Sequence, residues 1–190
     1  MRSNRLLSGV GSTNHESMRS TSALTGKERF FDDSEIIVSK TDKGGRITYA
    51  NDVFLRVSGY EEAEILSQPH SILRHPDMPR CIFHLLWETV QSGSEIFAYV
   101  VNRCKNGDHY WVLAHVTPSF DAQGKIIGYH SSRRTPDSGS KQAVIELYEK
   151  LKHEEEKHDH SMAGMQAASA LLAGKLAGQN VEYDEFVFSL

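Results

Sequence analysis

Two stretches decide how the chain is read: Leu73-Arg74-His75-Pro76-Asp77-Met78-Pro79, and Asn102-Arg103-Cys104-Lys105-Asn106-Gly107-Asp108-His109-Tyr110-Trp111. The first reads as a polar turn that opens a helix. Pro79 sits where a first helical turn tolerates proline, and Asp77 is the expected cap. The second reads as the tight turn of a β-hairpin, because Asn106-Gly107 is the dipeptide such turns favour. Between them Ile82, Phe83, Leu86, Trp87 and Val90 recur at helical spacing to about Gln91, with Gly93 as the stop. A helix clasped between a turn and a sheet is a way to wall a cofactor pocket.

Outward from this centre the punctuation is regular. On the C-terminal side, strands are predicted over residues 96–103, 110–118 and 126–133, the last pair turned by Gln123-Gly124. On the N-terminal side, residues 36–41 and 46–50 are β-rich and flank Asp42-Lys43-Gly44-Gly45, which predicts a second hairpin. Asn51 then caps a helix over residues 52–58, closed by Gly59. A second short helix is predicted over 61–66 and a further turn over 69–73. Two strands, several short helices and three strands predict an α+β domain. Its architecture is a five-stranded antiparallel sheet with the short helices on one face.

The ends differ in character. Residues 1–33, rich in Ser, Thr, Asn, Arg and Gly, are expected to be a disordered tail with a short helix near 27–31. The domain is expected over residues 34–137, and residues 138–190 as a helical C-terminal extension. In that extension residues 136–140 read as a linker and 142–153 as a helix with Val144, Ile145, Tyr148 and Leu151 in stripe. The run Glu154 to His160 reads as a solvated charged face, and residues 162–176 as an Ala-rich helix. His153, His158 and His160 do not share one helix face, so no metal site is assigned.

With 39% hydrophobic and 24% charged residues, the balance is that of a soluble globular protein. The formal charge of −4 argues against non-specific nucleic-acid binding, which needs a basic surface. No apolar run approaches the ~20 residues of a membrane span, and no signal-peptide pattern opens the chain, so the expected location is the cytoplasm. Cys81 and Cys104 read as small core residues in a reducing compartment. Phosphate-binding loops, nucleophile elbows and kinase or cyclase motifs are lacking, and no enzymatic activity is expected.

Several of these motifs together resemble a known family. Asp42-x-x-Gly45-x-Ile47-x-Tyr49-x-Asn51, Ser58-Gly59-Tyr60 and Asn106-Gly107 are typical of PAS domains. More narrowly, Gln68-Pro69-His70, Arg74-His75-Pro76-Asp77-Met78-Pro79, Phe83, Trp87 and Asn102-Arg103 resemble the sensor domains of bacterial aerotaxis receptors. So does Lys105-Asn106-Gly107-Asp108-His109-Tyr110-Trp111-Val112. The resemblance covers about residues 34–137. It implies a PAS fold and a non-covalently held flavin, FAD, that reports redox, oxygen or energy state. It places Asn51, Arg74, His75, Asp77, Phe83, Trp87 and Asn102 at cofactor-pocket positions. The chain departs from the family at Cys81 and His84, where smaller residues are usual, and at Ser94-Glu95-Ile96, where an aromatic is common.

Three functional readings remain open on the sequence. The first is an FAD-binding sensor that signals by protein contact. Its partners would be a second copy or a chemoreceptor or kinase complex, met through the region from Lys141. The second is a haem b sensor on the same fold, with His75 or His84 as axial ligand. The third is a cofactor-free interaction and dimerisation module in which Trp87 and Asn102 are ordinary core residues.

Overall fold

The computed structural model describes residues 22–190. Strands β1 (Ile37–Asp42) and β2 (Ile47–Ala50) form the first hairpin. Helices α1 (Asp52–Ser58) and α2 (Glu62–Ile65), a 3-10 turn (His70–Leu73) and helix α3 (Arg80–Gln91) follow. Strands β3 (Ile96–Arg103), β4 (His109–Phe120) and β5 (Ile126–Arg134) complete a five-stranded sheet of order β2-β1-β5-β4-β3, antiparallel throughout. The α+β class, the sheet and the short central helices are as the sequence predicts. Asn51 caps α1 by accepting the Phe54 N–H at 3.0 Å, and Gly59 ends it in the left-handed conformation.

Pairing of the first and last strands brings the chain ends of the domain together at the sheet centre. β1 pairs with β5 from Ile37↔Arg133 to Asp42↔Gly128. One face of the sheet therefore carries Ser39, Thr41, Val100, Asn102, Ala114, Val116, Tyr129, Ser131 and Arg133, since alternate residues share a face. The opposite face carries Phe97, Tyr99, Val101 and Trp111.

Residues 22–33 differ from the expected disordered tail. They run along the β3–β4 hairpin, and Glu28 bridges His109 instead of entering a helix. The Thr25 N–H donates to the Gly107 carbonyl at 3.0 Å, the Arg29 N–H to the His109 carbonyl at 2.7 Å, and the His109 N–H to the Lys27 carbonyl at 3.0 Å. Asp108 gathers Thr25 Oγ1, Arg29 Nε and Asn106 Nδ2 on its carboxylate, which holds its pKa well below the usual carboxylate range. Phe31 is buried. Polar composition hid this segment, because its bonds are to a hairpin far away in sequence. Residues 1–21 of the expected tail lie outside the described residues.

Gly107 makes this contact possible. Its φ is +94°, and a Cβ there would lie 1.9 Å from the Ala23 carbonyl oxygen. Gly107→Ala should therefore cost about 1 kcal/mol in global stability from the backbone conformation alone. It should also release residues 22–33 from the hairpin. Urea denaturation and faster amide exchange at Thr25 and Arg29 check this. Unchanged protection at those amides would contradict it.

The C-terminal extension folds as α4 (Ser138–Glu156), α5 (Ser161–Gln179) and α6 (Tyr183–Ser189). The expected linker at 136–140 is shorter, since Asp137 accepts the Gly139 and Ser140 N–H groups and starts α4 at Ser138. The helices cover the edge strand β3, whose unpaired backbone groups need partners. Tyr148 donates to the Tyr99 carbonyl at 2.6 Å, Asp184 accepts the Phe97 N–H at 3.4 Å, and Phe188 lies 4.7 Å from the Phe97 ring. None of the helices among the described residues is long and apolar enough to cross a membrane.

Candidate functional site

A cavity of about 540 Å³ lies between α3, the 3-10 turn and the inward face of the sheet. Its volume falls within the roughly 300–1,000 Å³ typical of small-molecule sites. Phe83 and Trp87, one helical turn apart on α3, form one wall, and Trp87 meets Tyr129 of β5 edge-on at 5.3 Å. The opposite wall is the sheet: Ser39 and Thr41 of β1, Val100 and Asn102 of β3, Ala114 and Val116 of β4, Ser131 and Arg133 of β5. Arg74, Arg80 and His84 stand on the helical side, and Met165 reaches in from α5.

The polar chemistry of the wall is concentrated and incomplete. Thr41 Oγ1, Asn102 Nδ2, Ser131 Oγ and Arg133 Nη1 are buried and have no hydrogen-bond partner among the described residues. Buried polar groups are normally satisfied, so four such atoms in residues around one cavity call for an explanation. Arg133, 4% exposed, donates through Nη2 to Ser39 Oγ at 2.9 Å and to His70 Nε2 at 2.8 Å, and no carboxylate among the described residues pairs with it. Desolvation lowers its pKa. An arginine only donates, so His70 Nε2 must be the unprotonated nitrogen of a neutral ring. Desolvation, with the adjacent Arg133 charge, pushes the His70 pKa down to about 3.

This architecture has known relatives. The PAS fold family matches residues 47–133. Over 119 residues the chain is 44% identical to the aerotaxis receptor of Escherichia coli (strain K12), an alignment covering 63% of this chain and 23% of that protein. The five-stranded sheet with its central helices is a PAS fold.

The chain is also 31% identical over 101 residues to a nitrogen fixation regulatory protein of Klebsiella pneumoniae, covering 53% of this chain and 20% of the relative. The chain thus spans under a quarter of the length of these curated relatives. The light-state structure of the blue-light photoreceptor Aureochrome1 LOV superposes with a TM-score of 0.54 at 20% identity, over 58% of this chain and 88% of that one. That likeness is one of fold.

Within the PAS fold the residues singled out by sequence separate into two groups. Arg74, Phe83, Trp87 and Asn102 meet at the cavity. Arg74 stacks on Phe83, its guanidinium 4.3 Å from the ring centre, and bridges Asn102 through the backbone. Asn51, His75 and Asp77 stand elsewhere. Both ends of the Asn51 amide are used inside the scaffold, where Oδ1 accepts from Val38 and Phe54 and Nδ2 donates to Ile36. The buried His75 ring accepts the Asp77 N–H at 3.2 Å and lies 5.5 Å from His109. Desolvation lowers its pKa. Asp77 has a side chain 79% exposed, and it makes no cap bond to α3, whose cap position is Pro79.

The haem reading finds little geometric support. His75 does not line the cavity. His84 does, but it is 43% exposed with Nε2 3.4 Å from Glu88 Oε1. Cys81 and Cys104 are buried free thiols, and burial pushes them up to about 12 and 11. They fit the core reading.

Sequence reasoning missed Ser39, Thr41, His70, Ser131 and Arg133. A signal existed. The stretch Tyr129-His130-Ser131-Ser132-Arg133-Arg134 is polar at every position after Tyr129, unusual for a predicted strand, with Ser131 and Arg133 two residues apart. Because the strand alternates, those positions share one face, and only the sheet order shows that this face is the inner one.

Proposed function

We propose that this chain is a sensory PAS protein that holds a flavin, FAD, in the cavity and reports redox, oxygen or energy state through protein contacts, not catalysis. The observation that carries the reading is the set of unsatisfied buried polar atoms on Thr41, Asn102, Ser131 and Arg133 beside the aromatic wall of Phe83 and Trp87. An isoalloxazine ring offers both flat apolar faces and an edge of carbonyl and N–H groups. Asn102 can both donate to and accept from such an edge, and Arg133 and Ser131 can donate to its oxygens. Arg74, on the helical side of the cavity, would meet a phosphate of the cofactor. A packed interior has few voids larger than a water molecule, so the cavity volume speaks against the cofactor-free reading.

A bound flavin supplies reversible electron acceptance at its ring. The chain's own groups do the rest: Phe83 and Trp87 exclude water, Asn102 and Arg133 orient the ring, and His70 stays neutral as acceptor for Arg133. The resemblance to aerotaxis-receptor sensor domains supports the same reading. The proposed output is contact with a second copy, or with a chemoreceptor or kinase complex, through the C-terminal helices.

The absorption spectrum of the purified full chain tests this. Near-ultraviolet and blue maxima that bleach with dithionite are expected, as is their loss in Asn102→Ala with little change in fold by circular dichroism. A colourless protein that cannot be reconstituted with FAD, or a Soret band in its place, would sink the proposal.

A further inference from the structure

The run Glu154 to His160, read from sequence as a solvated charged face, contains one residue that is not solvated. Glu155, near the end of α4, is 0% exposed. Its carboxylate accepts the Cys81 N–H at 2.9 Å and lies 3.1 Å from Arg80 Nε. Both partners belong to the first turn of α3. That turn begins at Pro79, which offers no side-chain cap. The orphan N–H groups of a helix start need acceptors, and a carboxylate there also meets the positive end of the helix dipole. Glu155 thus supplies to α3, from far along the chain, the cap its own sequence lacks.

Three further observations tie this contact to the cavity. Arg80 itself lines the cavity, one turn before Phe83 and His84. Met165 of α5 lines it too. Finally, α5 crosses α4 at Glu155: a Cβ on Gly164 would lie 2.2 Å from the Glu155 carbonyl oxygen. The pin on α3, the crossing of the α4–α5 hairpin and the cavity wall are one contiguous unit.

We infer that Glu155 is a positioning residue through which the α4–α5 hairpin holds the aromatic wall of the cavity. By the same contact, the hairpin reads what the cavity contains. The route runs through the first turn of α3, at the helical side of the cavity, and does not require the sheet. Coupling of this kind is reciprocal: if the hairpin stabilises the α3 that grips a ligand, the ligand stabilises the hairpin. The second half of the inference rests on the cavity being a flavin site, and the first half does not.

Hydrogen exchange on the full chain, without and with added FAD, separates the two. In the ligand-free protein, Glu155→Ala should speed exchange at Cys81, Ile82 and Phe83 by about tenfold or more, as loss of a charge-assisted bond predicts. If Glu155→Ala does not fold, Glu155→Gln serves: it keeps a neutral acceptor for the Cys81 N–H but loses the charge facing Arg80 and the start of α3, so a smaller rise at the same amides is expected. Leu151→Ala, which truncates a buried apolar residue of α4, controls for general destabilisation. Unchanged exchange in the α3 first turn, or an equal rise in Leu151→Ala, overturns the positioning role whether or not flavin binds. With FAD added, the wild type should slow in α5, and Glu155→Gln should lose that slowing while still showing flavin absorbance. Slowing that survives in Glu155→Gln overturns the coupling. A wild type that takes up no FAD overturns the proposed function, and the ligand-free comparison still decides the positioning role.

Discussion

Replacing Arg133 with Met should weaken FAD binding by about 100-fold while leaving the empty protein as stable as the wild type, or more so. Arg133 is 4% exposed on β5 and has no carboxylate partner among the described residues. An uncompensated buried charge costs several kcal/mol, and replacing buried ionic groups by apolar side chains of similar volume is often neutral or stabilising. Against that stands the loss of its bonds to Ser39 and His70, about 1–3 kcal/mol. The two nearly cancel, so the denaturation midpoint of the empty protein should move little or rise. Binding has no such compensation. Loss of a charge-assisted donor to the ring edge should weaken FAD by about 100-fold, equivalent to about 2.7 kcal/mol. Equilibrium denaturation of the ligand-free protein and titration with FAD measure the two effects separately. A variant that binds FAD normally but is destabilised would make Arg133 a structural residue and remove the main electrostatic support for the site.

Acidification should weaken the protein through His70. Its pKa is pushed down to about 3, chiefly by desolvation and then by the Arg133 guanidinium 2.8 Å away. The unfolded chain binds a proton at about 6.5. Between these values the unfolded state holds more protons than the folded one, so stability rises with pH across the window. The contribution is complete above about pH 6.5 and is lost progressively as pH falls toward 3. The limiting slope is about 1.4 kcal/mol per pH unit. His70 is only partly sheltered at the cavity wall, so solvent screening should reduce the realised loss to about 1–2 kcal/mol between roughly pH 6.5 and 4.5. His70→Asn, which keeps an acceptor for Arg133 but does not titrate, should lose that part of the slope. Urea denaturation of both proteins across this range makes the comparison, and parallel slopes would show that His70 does not titrate against a lowered pKa. At neutral pH the same shift keeps the ring an acceptor, so the Arg133 side chain is held in one geometry.

How far the sequence went depends on the range of each interaction. The elements were legible where the signal is local. Asn51 and Gly59 bracket α1, Asn106-Gly107 turns β3 into β4, and the spacing of Phe83 and Trp87 gives α3 one apolar face. Asn102, inward on β3 by strand alternation, could be chosen for the same reason. The capping box of Glu182 and Glu185 at α6 is an equally local signal.

The remainder depended on partners far apart in the chain. Asp77 stands where a cap would stand, yet the cap of α3 comes from Glu155, and nothing near residue 155 announces a buried carboxylate. His75 and Asn51 share motifs with cavity residues but spend their polar atoms on the scaffold, a choice made by the positions of Val38, Ile36 and Asp77. Arg133 and His70 become a pair only when β5 inserts beside β1 and the 3-10 turn packs over them. Periodicity and turn chemistry act over a few residues, so by themselves they determined the α+β order of elements and the aromatic wall. Which polar groups are left unsatisfied around a cavity is a property of the closed sheet and its covering helices, and only the tertiary structure decided it.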